Sequence, residues 1–477
     1  LYVRDQWRVT PTLTLSLGTR WEYFPIPRRA DRGLERYNPE TNMMEIGGVG
    51  SVPLDLGIEE SKTLFAPRLG VAWRPTEQTV VRAGYGITND PFALVRPMGR
   101  NYPVQLIQVV QAPHSYAFAS PLEDGIPEVD IPDLGSGIIP VPGTFAVTTL
   151  PLEFERGYVE SWNVTVQREL GWGFVGEAGY VGTRQVDQLG YHELNWAPIG
   201  GGQEGRQLFQ KFGRDADTRL VAPVGNSQYH ALQSRVERRF ANGFQLQANY
   251  TWSRSTGIAG NDDSDGTPNI AIPEFYHLNR ALSGFDRTHA LHILGIVQLP
   301  FGKGRRWLSE GGMLSALVGG WQVNNAISFY SGTPFSITTD DSSLDAPGNE
   351  QMADQVTPDV EILEGIGEGN AWFDPLAFAP VTEPRFGNAG FNAMRGPGYG
   401  NWDFGLFRVM SLGGRRTLEL RFEAFNLLNT PHFDNPGSDV SDLVLNPDGS
   451  VDDLNGFAEV TSASSERVMR LGVRFAF

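Results

Sequence analysis

The sequence predicts an all-β chain: about thirteen antiparallel strands forming part of a transmembrane β-barrel, with short turns along one rim and long loops along the other. Three observations predict it. Apolar and polar residues alternate with period two over segments of about 9 to 13 residues, the reach of a tilted membrane-spanning strand and longer than most soluble strands. The connectors alternate between short and long, as in an outer-membrane barrel and unlike a sandwich or propeller. Aromatic residues gather at the segment ends, where amphipathic rings suit a membrane interface.

The segments begin near residues 1, 13, 64, 79, 156, 174, 228, 244, 287, 321, 401, 417 and 466. In the second, Leu13, Leu15, Leu17, Trp21 and Tyr23 share a face that opposes Thr14, Ser16, Gly18, Arg20 and Glu22. In the eighth, Phe244, Leu246, Ala248, Tyr250 and Trp252 oppose Gln245, Gln247, Asn249, Thr251 and Ser253. Leu418, Leu420, Phe422 and Ala424 oppose Thr417, Glu419, Arg421 and Glu423 in the twelfth. Short links follow the first, third, fifth, seventh and eleventh segments. The ninth-to-tenth link, Pro300 to Gly320, is longer, and its MLSALV stretch at Met313 suits one helical turn. Long connections span roughly 25–63, 89–155, 185–227, 257–286, 339–400 and 429–465. Trp7, Trp21, Trp73, Trp162, Trp252, Trp321 and Trp402 sit at or near segment ends.

Composition narrows the classes. The 477 residues are 40% hydrophobic, and the most apolar runs, ILGIV at Ile293 and MLSALV at Met313, fall far short of a spanning helix. A chain without Cys has no disulfide, thiolate metal site or cysteine nucleophile. The net charge of −17 argues against a nucleic-acid partner, since phosphate binding needs clustered cations. That charge is uneven. Residues 339–400 hold eleven acids against two Arg, and residues 429–465 hold seven acids and no Lys or Arg. Acidity belongs to the long-loop rim, over a mildly basic wall. LYVRDQWRVT, at the start, reads as a strand with no signal peptide before it, which suits either a cytoplasmic protein or an internal piece of a longer one.

Several stretches together resemble the TonB-dependent outer-membrane transporter superfamily, in its Oar-like, carboxypeptidase-regulatory-like branch. They are FAPRLGVAWRP at Phe65, SQYHALQSRVERRFANGFQLQANYTWSRS at Ser227, FDRTHALHILGIVQLPFGKGRRW at Phe285, GGWQVNNAISFYSGTPFSI at Gly319, WFDPLAFAP at Trp372, RGPGYGNWDFGLFR at Arg395 and LRFEAFNLLNTPHFDNPG at Leu420. The resemblance implies a 22-stranded barrel of which residues 1–477 are the C-terminal part. Plug, TonB box, N-terminal domain and about nine strands would lie outside them. It also implies TonB-coupled uptake of an external ligand, a glycan or peptide ahead of a ferric siderophore or cobalamin. A surface adhesion or secretion-associated barrel without import is the alternative. The implied partners are outer-membrane lipid and lipopolysaccharide, the barrel-assembly machinery and, through the missing N-terminal part, the TonB complex.

The last strand, SERVMRLGVRFAF, puts Met469, Leu471, Val473, Phe475 and Phe477 on one apolar face, and this alternation ending on Phe477 resembles the barrel-assembly signal. Glu419, Arg421 and Glu423 are expected to meet Arg470 and Arg474 across the strand pair as an ion-pair ladder on the lumen wall. Arg20, Glu22, Arg68 and Arg82 read the same way. The loops 89–155 and 339–400 are the expected place of ligand capture, since loops of that length are usually functional. No enzyme is read. HELNW at His192 lacks the second His of a zinc-hydrolase motif, His289 and His292 have opposite parity, and FGKGRR at Phe301 lacks phosphate-loop spacing. NDDSDGTPN at Asn261 lacks the ligand order of a calcium loop and reads as solvated. No cofactor or metal is expected.

Overall fold

The computed structural model describes residues 1–99, 101–106, 112, 114–121, 123, 125, 128, 131–258 and 267–477. Residues 261–266 of the NDDSDGTPN loop lie outside these. Among the described residues, thirteen strands form one continuous antiparallel wall in chain order, each paired with the next, and two short strands, Val147–Thr149 and Arg280–Leu282, join it off this path. They are β1 (Tyr2–Thr10), β2 (Leu13–Glu22), β3 (Leu64–Thr76), β4 (Thr79–Asn89), β5 (Tyr158–Gly171), β6 (Phe174–Glu193) and β7 (Thr218–Ala241). The rest are β8 (Phe244–Ile258), β9 (His289–Gln298), β10 (Trp321–Tyr330), β11 (Tyr399–Ser411), β12 (Thr417–Phe425) and β13 (Val468–Ala476). β1 and β13 are the two ends of the sheet, each with one neighbour among the described residues.

Because the side-chain period is two, the register carries the same parity from strand to strand. Leu17 faces Leu69, Leu69 faces Tyr85, Val164 faces Tyr180, Tyr180 faces Leu232 and Leu232 faces Trp252. The row goes on through Ile293 opposite Ile327, Leu406 opposite Phe422 and Leu420 opposite Val473. This face is apolar yet exposed, with Leu17, Leu69, Val164, Leu232, Trp252 and Leu471 all open. A water-soluble sheet would cover such a face; a lipid-facing wall leaves it bare. Gly182 belongs to it because the Trp162 indole lies where its Cβ would stand, 2.4 Å from the nearest ring atom.

Turn chemistry sets the short rim. Asn242 and Gly243 both have positive φ and join β7 to β8 in a two-residue turn, the pairing a type I′ hairpin requires. The 300–320 link contains a six-residue helix, Met313–Val318. Among the described residues, no helix is long and apolar enough to cross a membrane.

The expected loop 185–227 is corrected. β6 and β7 reach 20 and 24 residues and continue pairing past a bulge at Gln185–Gln188, up to Glu193 opposite Arg219. Residue 218, not 228, begins β7. The sequence pattern missed this extension because Leu189, Tyr191 and Val221 in it bury against the long loops and so follow no lipid-facing parity.

Candidate functional site

The opposite face of the wall is polar, and its charges pair along strands. Arg20 meets Glu22 at 2.5 Å, Arg235 meets Glu237, and Arg421 meets Glu419 at 2.8 Å. Amide pairs with the same two-residue spacing are Gln322 to Asn324 at 2.9 Å and Asn401 to Asp403 at 3.0 Å. Residues two apart on one face stand about 7 Å apart at the backbone, within reach of long side chains. Arg82 instead donates across to Gln167 at 2.8 Å.

The register sets Glu419 opposite Arg474 and Glu423 opposite Arg470. The expected cross-strand ladder is nevertheless corrected, since among these five described residues the ion pair formed is Arg421–Glu419, within β12. Arg421 faces Gly472, which offers it nothing, so it turns to the carboxylate on its own strand. Arg470 lies over the Phe425 ring, 5.0 Å from its centroid. Met469, Leu471, Val473 and Phe475 oppose Ala424, Phe422, Leu420 and Leu418, and Phe477 stacks on Phe475 with 5.8 Å between ring centroids.

One polar cluster escaped sequence reasoning, which weighed His292 only against His289. His292 lies on the polar face of β9, with Ser328 Oγ 3.1 Å from Nδ1 and the Tyr330 hydroxyl 3.0 Å from Nε2. Tyr330 packs on Tyr399 at 5.3 Å, and Tyr399 on His432 at 4.0 Å. His292, Tyr330 and Tyr399 sit at the strand ends nearest the long loops, and His432 lies in the 429–465 loop itself. The pairings of β9 with β10 and of β10 with β11 bring most of them together, so parity plus register was the signal that could have found them. The imidazole of His292 is held by a phenol rather than a carboxylate, which suits polar binding more than base catalysis.

The long loops are folded rather than loose. Among the described residues they build three apolar clusters. The largest centres on Phe373, which is fully buried against Phe335, Phe378 and Phe457. Both expected capture loops contribute, residues 339–400 to this cluster and residues 89–155 to the other two. What they leave outward is mixed: Tyr116 and Phe118 on one, and Ile362 and Leu363 between Glu361 and Glu364 on the other, all exposed.

Polar groups tie the loops to the raised β6–β7 hairpin. Arg214, fully buried, donates to the carbonyls of Pro142 and Phe145 and to Thr218 Oγ1. Glu193 Oε1 accepts from the Asn195 and Thr218 amides, both at 2.8 Å. Burial pushes the Glu193 carboxyl above its ordinary value, against those two hydrogen bonds and nearby Arg206, which pull it down. A carboxyl raised in the folded state stabilises below its ordinary value and loses that contribution as pH rises through the raised one. Glu193→Gln keeps the accepting oxygen, so the variant should be the more stable of the two above that window. Thr218 amide exchange followed against pH checks this, and equal pH dependence in both proteins would count against it.

A bare apolar belt, a polar inner wall, tight turns on one rim and folded loops on the other define an outer-membrane β-barrel. The family model described as outer membrane beta barrel domain matches residues 1–470, and the chain belongs to that family. Solved structures similar to it include the outer membrane transporter YddB from Escherichia coli, at 12% identity and TM-score 0.48, covering 99% of this chain and 44% of that one. The ferripyoverdine receptor of the outer membrane of Pseudomonas aeruginosa is similar at 9% identity and TM-score 0.43, covering 99% and 37%. A variant of the ferric enterobactin receptor of the same organism is similar at 11% and 0.45, covering 99% and 44%. The chain thus spans less than half the length of these proteins. No curated protein matches it.

Proposed function

We infer that this chain is the C-terminal part of the barrel of a TonB-coupled importer, whose acidic loop cap captures an external ligand. The observation that carries the reading is the cap itself: long loops folded around their own cores stand over a polar inner wall, with the His292, Tyr330, Tyr399 and His432 cluster below them. Loops that served only as connections would need no core of their own. The free edges of β1 and β13 support further strands pairing there in the full-length protein to close the wall.

The ligand class follows from charge. Eleven acids in residues 339–400 and seven in 429–465 repel anionic chelates and suit a cationic peptide or a neutral glycan. Reversing the exposed Glu361, Glu364 and Glu368 to Lys in the full-length protein should slow capture of a fluorescent oligolysine peptide by roughly tenfold or more. Unchanged capture would remove these loops from recognition. Deleting the segment that contacts TonB should leave surface binding intact and abolish uptake of the same peptide. Uptake surviving that deletion would sink energy-coupled import, while binding without uptake in the intact protein would favour the adhesion reading.

A further inference from the structure

The lipid-facing side of the wall carries cations where an apolar surface is expected. His230 and Arg254 face each other across β7 and β8, on the same parity as Leu232 and Trp252. One row nearer the long loops, Arg184 faces Gln228 and Gln228 faces Thr256. Thr256 in turn faces Leu282 of the short strand Arg280–Leu282, which puts Arg280 on this face one row further out, opposite Ile258. Arg184, His230, Arg254 and Arg280 are all exposed. Among the described residues, none of the three arginines makes an ion pair, whereas the wall arginines Arg20, Arg235 and Arg421 do.

Two adjoining depressions share His230, Arg254 and Leu282. The one nearer the long loops, about 480 Å³, is polar, with Gln228, Thr256 and Arg280. The one nearer mid-membrane, about 510 Å³, is apolar and aromatic, with Tyr180, Leu232 and Trp252. The Tyr180 hydroxyl and His230 Nδ1, 2.7 Å apart, mark the boundary. A cationic cup above an apolar slot, both opening outward from the wall, matches an amphiphile whose anionic head lies at the interface and whose chains run down the barrel.

We propose that Arg254, Arg280 and His230, with Arg184 beside them, bind the phosphorylated headgroup of an outer-leaflet lipid whose acyl chain lies against Leu232 and Trp252. Arg suits this role because its planar fork matches phosphate oxygens. The inference rests on the outer-membrane barrel and not on import.

Native mass spectrometry of the full-length protein in mild detergent, with added bis-phosphorylated lipid A, tests it. Arg254→Gln with Arg280→Gln should weaken lipid A binding about tenfold or more, and dephosphorylated lipid A should bind the unaltered protein equally weakly. In case the double variant fails to assemble, Gln228→Lys adds a cation inside the cup and should tighten binding. Equal lipid A binding by the unaltered protein and the double variant, or no change on Gln228→Lys, would overturn the proposal. So would displacement of lipid A by excess inorganic phosphate, which would make this a phosphate site without a lipid.

Discussion

Asp286→Ala should destabilise the loop cap by about 2–3 kcal/mol, the usual cost of removing a buried charged acceptor from its donors. The Asp286 side chain is 1% exposed, and Oδ2 receives the Arg395 guanidinium at 2.5 Å. Its Oδ1 accepts the Ser255 amide at 2.6 Å, while Arg395 also donates to the Gly332 carbonyl at 3.0 Å. One carboxylate therefore clamps the top of β8, the 283–288 turn and the loop after β10. Without it, Arg395 keeps its charge with no counterion and Ser255 loses an acceptor. Trp372 reports the change, because its indole N–H donates to the Arg395 carbonyl at 3.4 Å. Its emission should shift at clearly lower denaturant in the variant. Removing both partners should cost less than the sum of the two single losses. Coincident transitions for the single variant and the unaltered protein would show that the clamp is not needed.

Ile293→Arg should cost about 2–4 kcal/mol and lower the yield of assembled protein, as a charge does near mid-membrane on the lipid face of a barrel. Leu294→Arg, one residue on, should cost under about 1 kcal/mol, since lumen-side charges meet water and polar neighbours. Ile293 stands between Ala248 and Ile327 on the apolar face. Leu294 stands between Gln247 and Ala326 on the polar one. Composition cannot separate the two positions, because both are apolar in an apolar run. Heat-modifiable migration on gels and urea unfolding in detergent compare them. Equal losses would mean that the faces have been assigned wrongly.

Much of this was legible in one dimension. Thirteen strands were expected and the wall has thirteen, because lipid imposes a parity that any ten residues display by themselves. Connector lengths separated the rims, and turn residues such as Asn242 and Gly243 act locally. The acidity of residues 339–400 and 429–465 required only counting. Where parity gave out, so did the reading: the raised ends of β6 and β7 bury Leu189 and Val221 against loops, and their alternation no longer reports a membrane.

The remainder depended on which distant residues meet. Glu419 had a partner two residues away as well as one about fifty residues on, and only the packed wall chose the nearer. Phe373 is an unremarkable loop phenylalanine until Phe335 and Phe457 close around it. Asp286 and Arg395 lie 109 residues apart, and no local pattern marks either for the other. Arg254 carries no mark in its own segment, and only the register of neighbouring strands brings His230 and Arg280 to it. Periodicity is a property of each segment, so the sequence alone could place strands and faces. Register, loop cores and charge clusters arise from contacts between segments, and those exist only once the wall is assembled.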